Sequence, residues 1–129
     1  MATAADIAPG HAWSYRGAQL PSSRVVIGRI DIAGATTVAS VSIVDAPLPD
    51  PETGALAPRL VEHAPIAIEA LLPSLLRREG DAPIPDGFDG GYRVWRNAFD
   101  AGQGGFFTLG VEEIVRMFQT ALAPQRAAH

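Results

Sequence analysis

Few residues in this chain of 129 could do chemistry, and the imidazoles are the first to weigh. There are three histidines, His11, His63 and His129, and no cysteine. Without thiols, disulfides, cysteine nucleophiles, iron–sulfur clusters and Cys-type zinc sites are all excluded. The histidines stand far apart in sequence, with no HExxH or comparable spacing, so no metal site is expected. His63 is the one with suggestive neighbours. It follows Glu62, precedes a helix expected to open at Pro65, and has Glu69 on that helix. A helix N-terminus lowers a histidine's pKa and a carboxylate raises it, so His63 and Glu69 form the candidate acid/base pair. The plainer alternative is a histidine that closes the entrance to the helix.

Other catalytic patterns are missing. G-x-S-x-G does not occur, and Ser22, Ser23, Ser40, Ser42 and Ser74 read as turn or sheet residues. Asp81, Asp86, Asp89 and Asp100 fall in or near loop-like segments, where solvated acids are the usual explanation. DGFDGG does not meet the calcium-loop arrangement, and GQGGFF is neither a dinucleotide fingerprint nor, in a chain without lysine, a P-loop. No cofactor is expected.

Two groups of aromatic and basic residues are candidate binding surfaces. Trp13, Tyr15, Arg16 and Arg29, with His11 and Arg24 nearby, interleave rings and guanidinium groups as single-strand nucleic-acid binders do. The overall charge of −4 disfavours that partner. In YRVWRNAF, Tyr92 and Trp95 are of the types enriched at interface hot spots, and burial against a sheet is the alternative.

The elements that must position these residues follow from periodicity. With 47% hydrophobic and 19% charged residues, the chain can bury a core at single-domain size. Residues 1–10 are expected as a flexible arm, 11–124 as one domain and 125–129 as a tail. HAWSYRG alternates as a strand, with Trp13 and Tyr15 on one side. RVVIGRIDI and TTVASVSIV form a hairpin about AGA, with Gly34 at the turn. On its first strand Val25, Ile27 and Arg29 point one way and Val26, Ile30 and Ile32 the other, with Gly28 marking a bulge or a close neighbour. Ala39, Val41 and Ile43 oppose Ser40, Ser42 and Val44 on the second.

From Ala46 to Pro58 four prolines predict a long surface loop, followed by a short strand at Arg59 to Val61. The apolar residues from Ile66 to Leu76 predict a helix from Pro65 to Gly80, kinked at Pro73 and packed on the sheet. Tyr92, Trp95 and Phe99 recur at helical spacing, with Gly102 as the stop. Val111, Ile114, Val115, Phe118 and Leu122 define a last helix with Thr108 as its N-cap, Glu112 paired with Arg116, and Pro124 ending it.

The fold class expected is therefore α+β: a small twisted antiparallel sheet of three or four strands, followed by three helices, the first packed on the sheet. The longest uncharged run, Ile32 to Val44, is too short to span a bilayer. The composite expectation is a cytoplasmic, non-enzymatic interaction or binding protein, with a protein partner or a second copy of itself. An enzyme centred on His63 and a nucleic-acid binder are the alternatives.

Overall fold

The β2–β3 hairpin organises the molecule. The structure, a computed structural model, describes residues 2–123. β-branched residues run through β2 (Arg24–Ala33) and β3 (Thr36–Pro49), and Gly34, at φ +66°, makes the turn between them. β1 (His11–Tyr15) pairs antiparallel with β2, and β4 (Leu56–Ala67) pairs with β3. β5 (Leu75–Asp81) returns to the far side of β1, giving one antiparallel sheet in the order β4-β3-β2-β1-β5. The fold is α+β in a single domain, with five strands where three or four were expected.

The fifth strand comes from the segment expected to be a kinked helix from Pro65 to Gly80. Pro65, Ile66 and Ala67 instead complete β4, a single turn of helix α1 spans Ile68–Leu71, a 3-10 turn spans Leu72–Ser74, and β5 follows. Ala64 and Ile66 alternate into the core with period two, and Pro73 prevents the turn from propagating. Ile66, Leu71 and Leu75 are fully buried while Leu76 is 51% exposed, so the apolar residues do not form one helical stripe.

The predicted loop from Ala46 to Pro58 is also mostly strand. β2 begins at Arg24, opposite Val44, so β3 beyond that point has β4 as its only sheet neighbour. Pro47 lies opposite Pro58, where neither residue has an N–H to leave unpaired. The turn is confined to residues 50–55, where the Asp50 carboxylate accepts bonds from the N–H groups of Glu52 (2.8 Å) and Thr53 (3.0 Å).

Each face of the sheet carries one long helix. Val25, Ile27, Ala39, Val41 and Ile43 pack beneath α3 (Val111–Leu122), which contributes Val111, Ile114 and Val115. On the opposite face Ala33 and Val38 meet Phe88, Tyr92 and Trp95 of α2 (Phe88–Asp100). The Pro-rich segment 82–87 connects β5 to α2. Gly110, not Thr108, is the N-cap of α3. The helix ends at Leu122, and Pro124 lies outside the described residues. In the region expected as an arm, Ala2 and Ile7 are buried against the core on the α3 side. The expected tail, 125–129, lies outside the described residues.

Gly28 is the extra residue of a β-bulge. Ile27 pairs with Val41 and Arg29 with Ser40, so β2 uses one residue more than β3 over this stretch. Ile30 therefore packs with Val25 and Ile27 in the α3-side core, while Arg29 turns to the α2 side. This corrects the expected alternation at both residues. The glycine also admits a neighbour, since a Cβ here would lie 2.3 Å from Cζ of Phe88.

Candidate functional site

Two places collect polar groups with exposed or aromatic surface. The first lies under α2. Adjacent strands β3 and β4 bring Ser40 opposite Pro65, which places the Ser40 hydroxyl 3.0 Å from Nε2 of His63. Phe88, Tyr92 and Trp95, one turn apart or nearly so on α2, set their ring centroids 5.5, 6.0 and 5.9 Å from that of His63. The Tyr92 hydroxyl donates to the Asp31 carboxylate at 2.9 Å, and the Arg29 guanidinium lies over the Tyr92 ring at 4.8 Å. The Trp95 indole N–H donates to the Gly105 carbonyl at 2.6 Å. Burial pushes the His63 pKa below its ordinary value of 6.5 and, with the bond to Asp31, pushes the Tyr92 pKa up.

A serine hydroxyl against an imidazole is the contact that a nucleophile makes with its base. Here it is a packed polar pair, because Ser40 is wholly buried between the sheet and α2 and cannot meet a substrate. Glu69, the other member of the expected acid/base pair, is exposed on α1 and has no hydrogen bond or ion pair to His63 among the described residues. His63 is thus half-buried beneath a helix that follows β5, and not at a helix entrance.

The structure also separates the expected aromatic and arginine surface. Trp13 and Tyr15 are buried in the α3-side core at 6% and 2% exposure. The Tyr15 hydroxyl shares a 2.6 Å hydrogen bond with Ser23. Arg16 donates through Nε to the Pro73 carbonyl at 2.9 Å, while Arg29 stands on the other face over Tyr92. No stacking platform forms from these four residues. Tyr92 and Trp95 come together, but pointed at the sheet.

The second place is a groove along the outer side of α3. A solvent-open hollow of about 500 Å³ is lined by Leu109, Glu113, Arg116, Met117, Thr120 and Ala121. A second hollow, of about 360 Å³, continues from it through Leu109 and Glu113 to Arg16, Pro73, Ser74 and Thr108. The first is apolar at its floor and charged at its rim. Met117 is 48% exposed although α3 already seats Val111, Ile114 and Val115 in the core. A third hollow, about 350 Å³, is lined by Pro65, Gly105, Phe106 and Phe107, and His63 lines none of the three.

No protein-family model, curated protein or solved structure matches the chain. Among the described residues no group of three or more His, Asp or Glu side chains could hold a metal ion, and no helix is long and apolar enough to cross a membrane. The periodicity of α3 carried a signal for the groove that core-face counting passes over: Met117 and Ala121 are apolar residues off the buried stripe. Leu109 and the Arg16–Pro73 contact had no local signal, since they reach the groove from other elements.

Proposed function

We propose that this chain is a non-enzymatic protein-interaction module whose working surface is the groove along α3. The observation that carries the reading is Met117, a flexible and polarisable side chain half in solvent above an open apolar hollow. Packing does not require it there, because the core-facing positions of α3 are filled by other residues. The hollow has the volume of several apolar side chains, and Glu113 and Arg116 at its rim supply polar contacts of both signs. The occupant that fits is a segment of a partner protein presenting an apolar anchor between polar residues. The burial of Trp13, Tyr15 and Ser40 supports this reading over a nucleic-acid binder or a His63-centred enzyme.

The test places a photoreactive benzoylphenylalanine at Thr120 in living cells. One discrete protein adduct is expected, and it should vanish when Met117→Glu is added, a substitution at an exposed position that leaves the fold intact. An adduct that survives Met117→Glu, one that forms equally from the probe at Val94 on α2, or no adduct at all overturns the proposal.

A further inference from the structure

α2 is built as a separable part. It is joined to the sheet strands on one side by Ala82–Gly87, with Pro83 and Pro85, and followed on the other by residues 101–105, with Gly102 and Gly104 at φ +78° and +75°. Its hold on the sheet is the cluster of Phe88, Tyr92 and Trp95 on Ala33 and Val38, and at the centre of that cluster lies the His63 ring. The approach is close: a Cβ on Gly91 would be 2.8 Å from that of His63. The imidazole is thus the titratable group at the centre of the packing beneath α2, beside Asp31, which α2 meets through the Tyr92 hydroxyl.

Apart from Glu62, the charges around it are committed elsewhere among the described residues. On β2, Asp31 accepts from the Tyr92 hydroxyl and lies 3.5 Å from Arg29, whose guanidinium covers the Tyr92 ring. On β4, the neighbouring Glu62 reaches toward Gly87. On α2, Arg96 pairs with Asp100 at 3.2 Å and Asp89 with Arg93 at 3.0 Å. From β3 only the neutral Ser40 hydroxyl meets the ring. No carboxylate forms an ion pair with His63 among the described residues, so an added proton would sit among aromatic rings without a counter-charge.

We propose that α2 is a hinged cover on this face of the sheet, and that it lifts when His63 is protonated, presenting Phe88, Tyr92 and Trp95 to solvent. The direction follows from linkage. Burial holds the imidazole below 6.5 in the closed form, whereas in the open form it recovers its ordinary value. The closed form is therefore favoured fully above that value, and its advantage is lost as pH falls toward the depressed one. Through that window the opening equilibrium rises by up to tenfold per pH unit.

The test uses the full chain. With Trp13→Phe, Trp95 is the sole tryptophan. Its emission is expected to shift to the red between pH 7.5 and 5, and amide exchange in α2 to accelerate toward tenfold per unit below about pH 6.5 after correction for intrinsic rates. Exchange at Ile114 of α3 should stay slow throughout. His63→Gln, which keeps a side-chain partner for Ser40, should abolish the pH response. A flat Trp95 emission, an unchanged response in His63→Gln, or loss of protection at Ile114 in step with α2 overturns the proposal. Should His63→Gln fail to fold, the unsubstituted protein decides: the imidazole ring protons and the α2 amides must report one shared titration, and separate midpoints refute it.

Discussion

Gly90 and Gly91 are neighbours in the first turns of α2, and replacing each by alanine should move stability in opposite directions. In an open helical position, Gly→Ala restricts the unfolded chain and stabilises by roughly 0.5–1 kcal/mol, toward the lower figure near a helix end. Gly90 meets that condition, since a Cβ there finds no atom within 4 Å. At Gly91 the added carbon would lie 2.8 Å from Cβ of His63, and the clash is with the root of a side chain fixed on β4, so the helix itself must move. Overpacking of this kind costs about 1–3 kcal/mol, which outweighs the propensity gain. The two variants should therefore differ by at least about 1 kcal/mol, or a few degrees in Tm for a chain of this size. Urea unfolding of both, read at the transition midpoint with an unchanged slope, measures the difference. If Gly91→Ala is as stabilising as Gly90→Ala, α2 does not sit on His63 in the way described.

Three further outcomes follow from the packing. Gly28→Ala should destabilise by about 1–3 kcal/mol because Phe88 occupies the space, and in a Phe88→Ala background that cost should disappear; equal costs in the two backgrounds would deny the contact. The Trp13 indole N–H is buried with no partner among the described residues, so Trp13→Phe should leave stability within about 1 kcal/mol of the parent by chemical denaturation, as relief of the unpaired donor offsets the smaller ring; a loss above about 3 kcal/mol would reveal a hidden partner. Burial raises the pKa of Tyr15, and burial with the Asp31 bond raises that of Tyr92, so their contribution to stability is full below pH 10 and is lost as pH rises through the folded values. With no lysine or cysteine in the chain, these two tyrosines are the only side chains that titrate near that pH, and replacing both by phenylalanine should flatten the decline in urea midpoint between pH 9 and 11.

What the sequence disclosed was whatever depends on near neighbours. The β2–β3 hairpin and helices α2 and α3 could be read because alternation, turn glycine and helical spacing each act over a few residues. The segment 65–80 misled because Ile66, Leu71, Leu72, Leu75 and Leu76 satisfy a helical count, while the choice between helix and strand rested on a vacant place beside β1, a non-local fact. Prolines 47 and 58 were misread for a related reason: a proline forbids a strand only where both sides are paired, and edge position cannot be seen from composition. His63 was singled out, but its true partner Ser40 lies twenty-three residues away in sequence and is delivered by β3–β4 register. Trp13 and Tyr15 were placed on the correct side of their strand, and only the assembled core reveals that this side faces inward.

The bulge at Gly28 behaves like a one-letter insertion in a message read two letters at a time. Every side chain between it and the hairpin tip takes its orientation from that single unpaired residue. Excising Gly28 would leave Ile27 opposite Val41 and Arg29 opposite Ser40, so Arg29 and Asp31 would still face α2 and Ile30 the aliphatic interior, and what would be lost is the local bend and the gap that Phe88 enters. The deletion would thus spare the reading frame of the hairpin tip and fall instead on the seat of Phe88.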